Sequence, residues 1–410
     1  MNHTRTNLLL VLSTLISLGC MGTAWADAPV TRTLYQMIAV PANANVKVDN
    51  LVGHMTVTQD SGSLKVSTAK GVAVFAQEMS VLEQGMLGRN PLRVTATVVT
   101  SGSQAEMLAK SVKLEVSTTG NQVTVHVHYP VDQYQTYRYN PPHTNAENTG
   151  QNCFLDIICV HGNGHSDIDY QGARVQVNEN GGSGIPLYVD VAVQLPAGVR
   201  ASFTNAVGLL EASNLANTLS LTTEGSDINA VNLSGGLNAS TGGGDMEMNN
   251  IVSNSLVINT GGGDVNGLNL KGDVTLDTGG GDTDIKTIVG ALHAITGGGD
   301  MHLSGQLSAL NTLYARTDGG DLRVFGDATT LRTLDVRTSG GDAVLHVSNL
   351  SMHLEASASG GDVNIHLPDI SGNVVSKDDS FSGDIGKAAG QGTIHSGGGD
   401  ITVSGNQSEK

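Results

Sequence analysis

A short glycine phrase limits what this chain can fold into. Thr-Gly-Gly-Gly-Asp stands four times in near-identical form, ending at Asp245, Asp264, Asp282 and Asp300. Looser copies end at Asp227, Asp321, Asp342, Asp362, Asp384 and Asp400. The steps between successive aspartates are 18, 19, 18, 18, 21, 21, 20, 22 and 16 residues. A period near twenty belongs to stacked repeats, in which each unit touches only its neighbours. Such repetition builds a scaffold and by itself names no chemistry.

Aligned on the aspartate, apolar residues fall into columns. Eight residues before it stand Leu237, Leu256, Val274, Leu292, Leu313, Leu334 and Leu354. One residue after it stand Ile228, Met246, Val265, Met301, Leu322, Val363, Ile385 and Ile401. Each coil then has one strand ending at the glycine corner and another starting at the aspartate, with alternate side chains inward. The fold expected is all-β, a parallel β-helix (β-solenoid) with about ten C-terminal coils. Four residues before the aspartate comes a small column, including Thr241, Thr260, Thr278, Thr296 and Ser396, expected inside with its hydroxyls bonded to one another. The glycines are expected at corners that need positive φ. Each aspartate is expected to accept an N–H at its own corner, as Asp does in turns. The register fails near Ser376 and Asp378, where Lys387 would occupy a core column. The coil at 372–388 is therefore expected to be distorted, and the last coil to serve as the cap.

Composition narrows the function classes. The chain has 53 glycines, 3% aromatic residues and 14% charged residues, against roughly 25% charged in an average globular protein. Its formal net charge of -17 argues against nucleic acid, which needs clustered cations, and against adsorption to an anionic membrane. Residues 1–26 read as a signal peptide: Arg5 precedes the apolar run Leu8 to Leu18, and Ala24-Trp-Ala26 gives a small-x-small cleavage site. That run is too short to span about 30 Å of hydrocarbon, so no transmembrane anchor is expected. Cys20 raises a lipoprotein reading, but Ser17 stands where a lipobox has Leu. Cleavage after Ala26 would deliver the chain to the periplasm or beyond.

Two cysteines then remain, Cys153 and Cys159, and an exported pair is expected to form a disulfide. In a single strand their Cα atoms would lie nearly 20 Å apart, whereas a bridge needs less than about 7 Å. Phe154 to Ile158 must therefore turn tightly; two free buried thiols are the alternative. Around the pair, the mature chain has three zones. Residues 27–130 are β-rich, alternating at Val46 to Val48, Met55 to Val57, Leu64 to Val66, Val112 to Val116 and Val123 to Val127, with one helix expected at Gln104 to Lys110. Residues 131–185 are an irregular insertion holding the cysteines and Tyr134, Tyr137 and Tyr139, read as a functional loop or a disordered segment. Residues 186–410 carry the repeats.

The passage from Val40-Pro-Ala-Asn-Ala-Asn-Val46 to Val57, the strand Val191-Ala-Val-Gln-Leu-Pro-Ala-Gly-Val199 and the Gly-Asp coils together resemble the DUF4097 adhesin-like bacterial family, related to the head domains of autotransporter adhesins. The resemblance covers most of the mature chain and departs from it at 131–185. It implies a right-handed β-helix and an adhesin-like binding or surface-structural role. That family carries no established catalytic residues, so none is transferred.

Chemistry is sparse. The ten aspartates invite calcium between coils, but the spacing lacks the second Gly-x-Asp element of calcium-binding nonapeptides; a structural corner ladder without cofactor is the reading preferred. A polysaccharide lyase or hydrolase is the competing class, and it needs paired carboxylates in a groove beside aromatics. The repeats offer only Tyr314, Phe325 and Phe381 as aromatics. Arg316, Arg337, Arg323 and Arg332 form either a basic patch for an anionic glycan or a solvated face balancing the aspartates. His126 with His128, and His161 with His165, lack the third and fourth convergent ligands a metal needs. No Gly-x-Ser-x-Gly elbow, phosphate loop or dinucleotide fingerprint occurs. The partner expected is a surface protein or a glycan.

Overall fold

The computed structural model describes residues 29–41, 43–60, 91–139, 152–154, 158–160, 165–179, 182–305, 307 and 309–405; for 152–154, 158–160 and 165 it describes the backbone alone. The signal-peptide residues Ala24 and Ala26, His143, His161 and the strand expected at Leu64 to Val66 lie outside the described residues. The chain divides into two compact units, Met1–Thr218 with Thr222–Ser226, and Leu219–Leu221 with Asp227–Lys410. The division falls within the run 186–410.

In the first unit, Val30–Ala39 pairs antiparallel with Pro91–Thr100, which pairs antiparallel with Leu187–Leu195. Asn45–Val52 lies parallel to both Gln122–His128 and Arg200–Val207, while Met55–Gln59 lies parallel to Leu187–Leu195 and Leu210–Leu215. Coil geometry thus begins before the glycine phrase. Its corner is Gly53, at φ 137°, where a Cβ would lie 2.1 Å from the Val189 carbonyl oxygen. The single helix among the described residues is Ala105–Ser111, which buries Ala105, Leu108 and Ala109.

Within 131–185 the described residues include strands. Thr136–Tyr139 pairs parallel with Ala173–Glu179, and His165–Tyr170 turns back antiparallel on that strand. Tyr137 and Tyr170 stand edge-on to Tyr129, with ring centroids 5.6 and 5.9 Å away. Tyr129 donates to the Val52 carbonyl at 2.8 Å, and Tyr170 to the Val127 carbonyl at 2.7 Å. Tyr137 and Tyr170 are therefore core anchors. Farther along, Asn152–Phe154 and Ile158–Val160 form an antiparallel pair that sets Cys153 directly opposite Cys159.

The second unit is the solenoid. The column after the aspartate runs in register through Ile228, Met246, Val265, Thr283, Met301, Leu322 and Ala343. The column before the corner runs Leu237, Leu256, Val274, Leu292, Leu313 and Leu334. These are buried throughout, because no isolated coil can cover both of its strands.

Four sequence-based expectations need correction. The glycines that precede the ladder aspartates are not in the positive-φ region; at Gly261, Gly263, Gly279 and Gly281 the preceding coil approaches too closely for a Cβ. One added at Gly263 would lie 2.0 Å from the Gly244 carbonyl oxygen, and one at Gly281 2.1 Å from that of Gly263. The threonine hydroxyls mostly bridge backbone: Thr296 Oγ1 accepts the Gly299 N–H at 3.2 Å and donates to the Gly281 carbonyl of the preceding coil at 3.0 Å. Thr278 and Thr296 also lie hydroxyl to hydroxyl, at 3.3 Å.

The last coil is not the cap. Gln391–Ser396 lies between Thr333–Thr338 and Met352–Ala358, parallel to both, and Ile401–Ser404 lies between Ala343–Ser348 and Val363–His366. Ile370–Lys377 and Ser380–Ile385 form an antiparallel hairpin on the outer edge of Met352–Ala358. This is the segment where the repeat register fails, and Lys387 is exposed there instead of filling a core column. Asp384 therefore leaves the ladder; it sits in the hairpin and takes a 2.7 Å hydrogen bond with His353 Nδ1.

Candidate functional site

Nine aspartates remain in the ladder, and each bond joins one coil to the next. Asp227 Oδ1 accepts the Asp245 N–H, Asp245 that of Asp264, Asp264 that of Asp282, and Asp282 that of Asp300. Asp300 then accepts from Asp321, Asp321 from Asp342, Asp342 from Asp400 and Asp400 from Asp362, all at 2.8–2.9 Å. The carboxylate thus bonds the neighbouring coil's corner, not its own. One oxygen per residue is committed, and the side chains from Asp245 onward stay near solvent.

A second ladder escaped the sequence reading. Asn232, Asn250 and Asn269 adopt φ of 55–56°, and the amides of Asn250 and Asn269 each donate to the preceding asparagine, at 3.0 and 2.8 Å. Asparagine tolerates the left-handed region better than most residues. Its signal was present, five residues after the aspartates 227, 245 and 264.

Beside the aspartate ladder lies an open groove of about 520 Å³, lined by Asp264, Asn266, Asp282, Thr283, Asp284, Asp300, His302, Arg323 and Phe325. The strand following each aspartate positions it, since the residues two and four after the aspartate point outward. Arg323 is paired with Asp321 at 2.7 Å and lies 3.9 Å from Asp300. His302 stands 3.7 Å from Asp284 and edge-on to Phe325, centroids 5.3 Å apart; Phe325 continues to His346 at 5.1 Å. The groove thus presents carboxylate acceptors, one guanidinium and a short ring platform, a set suited to hydroxyl-rich or polar ligands.

The arginines do not make one basic patch. Arg316 and Arg337 are in register but pair with Asp318 and Asp335 at 2.8 and 2.7 Å, and Arg332 donates to the carbonyls of Thr329 and Leu331. Phe381 is buried, while Tyr314 packs against His293 at 4.3 Å. In the first unit, His126 stacks on Tyr170 at 5.1 Å and bonds Gln171. Among the described residues no group of three or more His, Cys, Asp or Glu is arranged to hold a metal ion. Among them, too, no helix is long and apolar enough to cross a membrane.

Residues 210–404 match the family described as Toastrack DUF4097. A solved structure described as a "putative cell adhesion protein" from Clostridium sporogenes is similar over 91% of this chain and 99% of its own, at 11% identity and a TM-score of 0.19. No curated protein matches.

Proposed function

We propose that this chain is an exported, non-enzymatic β-solenoid that binds a surface protein or glycan. The groove beside the aspartate ladder is the observation that carries this reading. It is open, mixed in charge and fitted with one aromatic platform, as a recognition surface requires. A cleaving site would need a carboxylate pair differentiated as acid and base in an enclosed groove. Here the ladder carboxylates are alike, each held by the next coil's N–H. Removal of residues 1–26 and delivery to the periplasm or beyond belong to the same proposal. The Toastrack match supports an adhesin-like role by analogy of fold.

Capture from a native envelope extract and binding to a glycan array test this reading. Arg323→Ala with Phe325→Ala removes one exposed and one half-buried groove residue and should abolish capture while the chain stays folded. Unchanged capture would place binding elsewhere. Release of sugar fragments from any polysaccharide, lost on Asp284→Asn, would instead establish the enzyme class.

A further inference from the structure

At one place the order of coils in space departs from their order in sequence. The Asp342 coil is followed by the C-terminal Asp400 coil, and only then by the Asp362 coil. The C-terminal coil is bonded on both sides. Ala343 N–H donates to the Asp400 carbonyl, Ile401 N–H to that of Asp362, Gln391 N–H to that of Arg332 and His353 N–H to that of Gly390. Ile394, Ile401 and Val403 are fully buried in the slot.

The slot is shaped for this segment. Gly392 stands between Leu334 and Leu354, in a column that is otherwise Leu or Val, and a Cβ there would lie 2.4 Å from Met352 Sδ. No other coil of the chain has a glycine at that position. To reach the slot, the chain leaves the hairpin on one edge of Met352–Ala358 and crosses the end of that strand in residues 386–390. The crossover holds Gly386 at φ 59° and Ala388 at φ 48°. A non-glycine residue in the left-handed region is locally strained, and an extended crossover would release it.

We propose that this slot also accepts the C-terminal coil of a second copy of the chain, giving a reciprocal dimer by coil exchange. Every contact of residues 391–404 is preserved in the exchange. Only the crossover changes, which is the condition under which swapping is a low-cost route to dimers. The partner is a second copy because only the segment carrying Gly392 fits beside Met352. The proposal is independent of the groove.

Arg337 and His395 are exposed register partners across the slot, and they give the test. Full-length Arg337→Cys and His395→Cys chains, differently tagged, are unfolded together, refolded at high concentration and treated with a short thiol cross-linker. The parent chain, with its own cysteines, is the background. A cross-linked product bearing both tags is expected, at least tenfold above that from chains refolded separately and then mixed. The double variant Arg337→Cys/His395→Cys should cross-link within itself. Internal cross-linking with no two-tag product at any concentration overturns exchange, and absence of internal cross-linking overturns the slot itself. Deleting residues 387–389 shortens the crossover and should convert the chain to a dimer by light scattering. A folded monomer of that variant would also overturn the proposal.

Discussion

Replacing Gly281 by alanine should break the stack, whereas the same replacement at Gly280 should not. Both glycines belong to one corner, and the middle glycine recurs in all nine ladder copies. From repetition alone both substitutions should therefore be harmful. The structure separates them. A Cβ at Gly280 meets nothing within 4 Å, while one at Gly281 lies 2.1 Å from the Gly263 carbonyl oxygen and 2.4 Å from its carbon. A close C···O contact is about 3.3 Å, so the coils must part locally by about 1 Å. The Asp282 N–H bond to Asp264, now 2.8 Å, would then stretch beyond the roughly 3.2 Å limit of an N–H···O bond. Strained insertion costs about 1–3 kcal/mol, and each lost bond about 1 kcal/mol net. Reduced freedom of the unfolded chain returns about 0.4–1 kcal/mol. The net expectation is a loss of about 1–3.5 kcal/mol for Gly281→Ala and a change between zero and a gain of about 1 kcal/mol for Gly280→Ala. Urea unfolding followed by circular dichroism measures both, and hydrogen exchange should locate the damage between the Asp264 and Asp282 coils. Equal destabilisation by the two variants would refute the close-approach account of the corner.

Three further outcomes are expected. Asp282→Ala should cost about 1 kcal/mol by orphaning the Asp300 N–H, while Asp282→Asn keeps an acceptor and most of the stability; equal melting of the two variants would contradict an inter-coil bond. Burial raises the pKa of Asp190, against the hydrogen bond it accepts from the His54 N–H. The folded state therefore holds this proton more tightly than the unfolded chain does, and stability falls as pH rises from the ordinary carboxylate value through the raised one. Asp190→Asn should flatten that fall in melting curves taken from pH 3 to 7, and identical slopes would dismiss the effect. Finally, antiparallel pairing brings opposed Cα atoms to about 4.5–5.5 Å, within disulfide range, so non-reducing digestion of exported protein should yield a Cys153–Cys159 linked peptide, whereas two alkylatable thiols would exclude the bond.

What could be read in the sequence was whatever repeats. The Leu237 and Met246 columns identify the strands, because a period of two within a coil and of about twenty between coils leaves few alternatives. The helix at Ala105–Ser111 was also legible within a residue. Distances across coils were not legible. That a carboxylate reaches the next coil's N–H, or that Gly281 excludes a Cβ, depends on inter-coil spacing, which no pattern along one coil encodes. The groove was legible only as residue types: Asp284, His302 and the pair Arg323 and Phe325 belong to three successive coils, and stacking alone makes them neighbours.

The intercalated coil shows where repeat logic ends. Sequential stacking is favoured because each coil is tethered to its predecessor, so joining them closes only a short loop. The Asp400 coil gives up that advantage and sits one coil back, ahead of the Asp362 coil. Its column compensates: Gly392 makes room for Met352, and Ile394 fills the space between Val336 and Ala356. Placed in sequence order, the Asp400 coil would take the edge of Met352–Ala358 that the antiparallel hairpin occupies. The failure of register at Ser376 and Lys387 records this choice. Those residues are not a damaged coil: Ser376 belongs to the hairpin that covers the outer edge of Met352–Ala358, and Lys387 to the crossover that carries the last coil into the stack.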